Sequence, residues 1–234
     1  MKIITLNMNM FRYLIDGSLN EFLKEYQADV VILQEVRSSL ADEVTCYTHK
    51  ISPNLYQEIE NIKKTIYLTV ALCKDDTWQK VNIDHFHYNN RFVKIKNDDW
   101  SIFGLHLPLQ DDIDSLLSII QESDCDIICG DFNAHRKYSQ IKNWKVIDNL
   151  INDKGYSDLW EKGLKEEKAY YIDYKGEKKK AHQGDFYRTF VGNTHIDYVL
   201  AKADIHLIDI IIDMRTLAFT DHCAMIVNCK KDKS

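Results

Sequence analysis

"CDIICGDFNAHR", residues 125–136, is an apolar run that breaks into Gly130, Asp131, Phe132 and Asn133. The run has the length and composition of a buried strand. A strand exit needs one polar residue to turn the chain, and here a carboxylate and a carboxamide stand two residues apart. That pairing points to something other than backbone being held at the end of the strand.

Similar runs surround this one. "KIITLN" (2–7) reads as a strand ending at Asn7, and "ADVVILQEV" (28–36) as an apolar run ending at Glu35, which suits burial on both faces. "TIYLTVALCK", "KVNIDHFHY", "RFVKIKN" and "WSIFGLHLP" follow as strands rich in β-branched and aromatic residues. The chain closes with "HIDYVLAK", "DIHLIDIIID" and "CAMIVNCK", again strand-like. Helical spacing appears in "GSLNEFLKEYQ", with Ser18 the expected N-cap, and more weakly in "NLYQEIENIKK". It recurs in "DDIDSLLSIIQES" and "WKVIDNLINDKGYSDLWEK", where Gly155 is the expected C-cap. The segment from about Glu161 to Tyr187 is polar and has no clear period. Strands and helices alternate early and strands dominate late, which fits two packed sheets covered by helices.

The 234 residues are 45% hydrophobic and 28% charged, enough for a substantial core and free of low-complexity segments or repeats. One domain spanning residues 1–234 is expected. "MKIITLNMNMFR" lacks the apolar core of a signal peptide, and no run reaches the roughly 20 apolar residues of a membrane helix. The six cysteines lie in or beside apolar runs without zinc spacing and read as buried free thiols. A cytoplasmic monomer without stable membrane association is the expectation. The formal net charge of -6 excludes a protein that coats nucleic acid through bulk positive charge. It leaves room for an enzyme acting on phosphates, because such sites collect acidic metal ligands. The basic run "YKGEKKKAHQGDFYR" (174–188) is local and reads first as a solvated loop.

Polar residues at strand ends carry the functional signal. Asn7, Glu35, His106 and the Asp131–Asn133 pair each close a strand. Asp197 interrupts the apolar "HIDYVL", and Asp221 and His222 precede the last strand. In layered α/β folds, such ends converge on one rim. Each residue has a plainer role open to it: turn asparagines, a helix-capping Glu35, a hydrogen-bonded core His106, an ordinary strand exit at Asp131. Their joint occurrence favours a site.

Read together, "LNMN", "LQEV", "GLHLP", "GDFN", "HIDYVL" and "TDHCA" resemble the motif series of the endonuclease/exonuclease/phosphatase superfamily, the DNase I-like fold. The resemblance implies a four-layer α/β-β-α sandwich, two mixed sheets flanked by helices, that hydrolyses phosphoesters with a divalent metal, usually magnesium, with manganese as a substitute. It assigns Glu35 as main metal ligand with Asn7 beside it, and Asp221 as an acidic neighbour at the metal. Asp131 and Asn133 match the pair that positions water and phosphate. His106 matches a donor to phosphate, and Asp197 the carboxylate that orients His222.

These residue types suit that chemistry on their own terms. Oxygen ligands hold a hard cation that offsets phosphate charge. A carboxylate places the attacking water, and a buried Asp fixes an imidazole tautomer. Two departures separate the chain from the abasic-site branch: "GLHLP" replaces a Tyr-containing motif, and His195 stands where that branch has Arg. The expectation is a magnesium-dependent nuclease acting on DNA. Lys178, Lys179, Lys180 and Arg188 would track the backbone, with further phosphate contacts from Arg136 and Asn7. The alternative is a phosphatase or phosphodiesterase for a small phosphorylated molecule or lipid headgroup. A non-catalytic binding module of the same fold is disfavoured by the intact water-handling residues.

Overall fold

The computed structural model describes residues 1–9, 17–37, 44–53, 67–83, 89–109, 120, 124–135 and 142–232. The helix expected over 54–64, that expected over 111–123 apart from Ile120, the far part of the strand expected over 80–88, and Arg136 lie outside them. In chain order the elements are β1 (Lys2–Asn7), α1 (Ser18–Tyr26), β2 (Val30–Arg37), β3 (His49–Ile51), β4 (Tyr67–Cys73), β5 (Gln79–Val81), β6 (Phe92–Lys96), β7 (Ser101–His106) and β8 (Ile127–Asp131). Then come α2 (Trp144–Asn152), β9 (Ser157–Asp158), α3 (Leu159–Lys165), β10 (Ala169–Ile172), β11 (Lys178–Lys180), β12 (Asp197–Ala201), β13 (Ile205–Asp213) and β14 (Ala224–Lys231).

Among the described residues the strands form two mixed sheets. One runs β11-β10-β13-β14-β1-β2-β4-β3 and the other β5-β6-β7-β8-β12-β9. Alternation within each strand decides what it faces. Ile3, Ile32, Ile127, Val199 and Met225 point between the sheets and build the central core. Ile4, Leu33 and Ile226 point outward beneath Leu19, Phe22 and Leu23 of α1. On the other outer face, Ile128, Phe132 and Tyr198 meet Val146, Ile147 and Leu150 of α2. The layers are therefore helix, sheet, sheet and helix, the DNase I-like sandwich.

The segment without a clear period is the end of α3 followed by the β10–β11 hairpin, whose lysine strand forms a sheet edge. Lysines on an edge discourage pairing with another chain. Ser18 is the first residue of α1 rather than its cap. Gly17 takes the N-cap position at φ 85°, a left-handed conformation that glycine adopts without strain. The C-cap of α2 is Asp153 rather than Gly155, which turns left-handed at φ 73° two residues further on. All six cysteines are free, five of them buried. No helix among the described residues is long and apolar enough to cross a membrane.

Register brings the site together. His106 of β7 pairs with Asp131 of β8, and Asp131 pairs with Asp197 of β12, so three adjacent strands present these side chains at one level. On the facing sheet, Asn7 ends β1 and His222 lies just before the start of β14, the strand paired to β1.

Candidate active site

Glu35 does not end its strand, as the apolar run suggested. β2 continues to Arg37, and a bulge lies between Leu33 and Val36, where two residues oppose Thr69 alone. Gln34 stays buried against Thr5, while Glu35 takes φ 52° and is largely buried at the rim. A non-glycine residue held there costs about 1–3 kcal/mol, and bulges of this kind redirect side chains at sites.

Asn7 ties the two sheets together. Its Nδ2 donates to Glu35 Oε1 at 3.2 Å and to Asp131 Oδ2 at 2.9 Å, so both amide hydrogens serve carboxylates. Its Oδ1 accepts the Asn9 N–H at 2.8 Å. Asn9, in the quoted "LNMN" yet not singled out from the sequence, also donates from Nδ2 to Asp221 Oδ2 at 2.7 Å. One short segment thereby orients Glu35, Asp131 and Asp221.

Asp131 is held from its other side by the Asn133 N–H, 2.8 Å from Oδ1. Burial, reinforced by the charge of Asp197 and opposed by His222, raises the Asp131 pKa to about 7. Gly130 makes this exit possible: a Cβ there would stand 1.9 Å from the Leu105 carbonyl oxygen, at φ 142°. Asn133 sits at φ 48° and donates from Nδ2 to the Leu107 carbonyl at 2.7 Å. One of its amide hydrogens is therefore tethered to backbone, and among the described residues the other meets no acceptor.

The pair formed by Asp197 and His222 is buried. His222 Nδ1 donates to Asp197 Oδ2 at 2.9 Å, and Nε2 lies 3.9 Å from Asp131 Oδ2 and 3.8 Å from Asp221 Oδ1. Burial disfavours the imidazolium, but the three carboxylates outweigh it and raise the His222 pKa to about 9. Thr189 Oγ1 accepts the Ile196 and Asp197 N–H groups at 2.9 and 3.1 Å, and Thr216 Oγ1 donates to the His222 carbonyl at 2.8 Å. The Phe190 ring packs on the imidazole at 4.9 Å between centroids.

His106 has the opposite electrostatics. Burial, with the charges of Arg91 and His222, lowers its pKa to about 3. Arg91 donates to Nδ1 at 3.2 Å, which leaves Nε2 protonated, 3.6 Å from Glu35 Oε1 and 3.9 Å from Asp131 Oδ2. The sequence carried no signal for Arg91, because its role depends on pairing between β6 and β7.

The rim holds four carboxylates, Glu35, Asp131, Asp197 and Asp221, together with two imidazoles. The ligand atoms of Asp131, Asp197 and His222 all lie within 4.8 Å of one another. Oxygen-dominated donors of this kind fit a hard divalent cation.

The residues of the basic run are paired with neighbours of their own segment. Lys179 pairs with Asp173 at 2.5 Å and Glu177 at 3.1 Å, and Lys180 with Glu167 at 2.8 Å. Lys178 Nζ sits 4.4 Å over the Tyr170 ring, and the Arg188 guanidinium 5.8 Å from the centre of the Tyr174 ring.

The model of the Endonuclease/Exonuclease/phosphatase family matches residues 4–222, and the chain belongs to that family. Among solved structures it resembles the endonuclease/exonuclease/phosphatase from Bacteroides vulgatus, with a TM-score of 0.63 at 13% identity over 99% of this chain and 98% of that one. It is equally similar, at a TM-score of 0.63 and 14% identity over 99% of both chains, to the endonuclease domain of TRAS1, a telomere-specific non-LTR retrotransposon. At these identities the likeness concerns the fold. No curated protein matches the chain in sequence.

Proposed function

We propose that this chain is a divalent-cation-dependent phosphodiesterase that hydrolyses nucleic acid, DNA first. The observation that carries the reading is the meeting of a carboxylate with its pKa near 7, Asp131, and an imidazole with its pKa near 9, His222, 3.9 Å apart on an acidic rim. Such a pair supplies a base and an acid together at neutral pH.

Glu35 and Asp221 would hold magnesium or manganese, with Asn7 orienting the Glu35 carboxylate through its amide. The bound cation would offset the charge of the phosphate and of the oxygens developing around it. Asp131 accepts a proton from the attacking water. His222, kept protonated by Asp197, donates to a phosphate oxygen or to the leaving oxygen. His106, neutral with its proton on Nε2, and the remaining amide hydrogen of Asn133 donate to the phosphate without changing charge. Preorganised donors of this kind give phosphoryl transfer most of its rate.

A second reading, hydrolysis of a small phosphorylated molecule, is favoured by one feature: acids partner Lys179 and Lys180, which shortens any basic track for a long strand. Purified protein offered supercoiled plasmid, single-stranded DNA, RNA and phosphomonoesters, with magnesium, manganese or EDTA, separates the two. Metal-dependent cutting of a strand supports the first reading; release of phosphate from monoesters alone supports the second.

A further inference from the structure

A cavity of about 680 Å³ opens between α3 and the segment that enters β12. Both stretches that carry catalytic candidates run into its wall. His135 lies two residues beyond Asn133, His195 lies two residues before Asp197, and the Phe132 N–H joins the stretches at the Ile196 carbonyl, 2.9 Å away. The cavity is thus a neighbour of the rim.

Its walls are rings. Trp160 meets Tyr187 edge-on at 5.3 Å, and Tyr198 stands 5.1 Å from His195. The Tyr198 hydroxyl is already bonded to the Ala134 and His195 carbonyls at 3.1 Å, so it adds an apolar ring to the wall. Phe186, 53% exposed, forms part of the lip.

The polar lining sets three carboxylates beside His135, Asn193 and His195. Asp158, Glu161 and Asp185 face the cavity, and no Lys or Arg does among the described residues. Asp158 is the informative one, at 9% exposure. Its Oδ1 accepts the Trp160 and Glu161 N–H groups at 2.9 and 3.4 Å, capping α3, while among the described residues no donor meets Oδ2. Burial raises the Asp158 pKa, opposed by the charge of the neighbouring His195. His195 donates from Nδ1 to the Tyr187 carbonyl at 2.9 Å, and its Nε2 is bonded to no described residue.

We propose that this cavity binds a nucleobase carrying an exocyclic amino group, as guanine, cytosine and adenine do. Aromatic walls stack on a flat ring of any base. The unmatched Asp158 oxygen and the neighbouring carboxylates take the amino hydrogens, which thymine lacks. Three carboxylates repel a phosphate, so the base enters while its phosphate stays on the rim. The placement rests on the reading of that rim as a phosphodiesterase; the binding itself does not.

The test is ligand-observed NMR titration of guanosine, cytidine, adenosine and thymidine, which requires no catalysis. Asp158→Asn keeps a helix-capping side chain and removes the carboxylate. Phe186→Ala removes an exposed wall that the fold does not need. Wild type should bind the three amino-bearing nucleosides more tightly than thymidine. Asp158→Asn should weaken those three on the order of tenfold and leave thymidine unchanged. Phe186→Ala should weaken all four, and it decides the matter if Asp158→Asn does not fold. Absence of binding, or either folded variant binding as wild type does, would overturn the proposal. A second arm offers oligothymidylate carrying one amino-bearing base. Cuts at a fixed offset from that base support a strand-borne base. Cutting without such preference overturns the pocket as a substrate subsite. Nucleoside binding with no cutting of any strand keeps the pocket and removes the nuclease reading.

Discussion

Arg91 donates to Nδ1 of His106 at 3.2 Å and thereby fixes which nitrogen of that imidazole carries the proton. With Nδ1 occupied as an acceptor, Nε2–H is the face turned to Glu35 and Asp131. Burial, reinforced by the Arg91 charge, keeps the ring uncharged near neutral pH, so Nε2–H remains a hydrogen-bond donor there.

Arg91→Ala should therefore free the ring to adopt the other tautomer. The expected result is a fall in kcat of order 10²-fold with KM little changed, and partial recovery in Arg91→Lys. Steady-state kinetics on all three proteins checks this. A rise in KM alone would place Arg91 in substrate binding instead.

Asp197 and His222 should behave as one unit, since a buried bond of 2.9 Å joins them. Asp197→Asn and His222→Ala should each remove most activity, and the double variant should lose little more than the worse single one. Rates for the full cycle are the measurement. Losses that multiply would mean that the two act independently.

Two raised pKa values set the pH behaviour. Asp131 must lose its proton near pH 7 and His222 must keep its own until about pH 9, so kcat/KM should rise through the first and fall through the second. Asp197→Asn should move the alkaline limb toward the ordinary imidazole value of about 6.5. Both groups bind protons more tightly folded than unfolded, so each favours the fold at lower pH. The His222 contribution is complete below pH 6.5 and lost as pH rises through about 9; that of Asp131 is complete below 3.8 and lost through about 7. In chelator, the melting temperature should accordingly decline between pH 6 and pH 9.5, on the order of a few degrees. Thermal melts across that range test the sign, and a rise would contradict it.

Lys178, Lys179 and Lys180 should matter less to binding than three free cations would. Lys179 and Lys180 already face Asp173, Glu177 and Glu167, so changing all three lysines to Ala should reduce the salt slope of DNA binding by about one unit rather than three. Affinity measured against salt concentration reads this directly. A loss of three units would mean that the acids give way when a strand binds.

Much of this site was legible because strand ends are. A hydrophobic run that stops at Asn7, His106 or Asp131 shows both the element and the residue at its rim. Glu35 was legible as a residue but not as a geometry: its bulge depends on Thr69 standing alone opposite Gln34 and Glu35, and Thr69 lies on another strand. Asn9, Arg91, Thr189 and Thr216 left no mark, since each acts through a partner brought near only by folding. The lysine run was visible, but its neutralising acids were not, because a hairpin and the end of α3 place them.

The central claim is that Glu35 holds a cation required for phosphodiester hydrolysis. Cleavage of a labelled single-stranded oligonucleotide, titrated with magnesium for wild type and for Glu35→Gln, tests it most directly. Wild type should be inactive in EDTA and restored by magnesium. Glu35→Gln, folded as judged by its melting curve, should be slower by a factor on the order of 10² or more and require more metal. Full wild-type activity in excess EDTA, or a Glu35→Gln variant with the wild-type magnesium curve, would contradict the account.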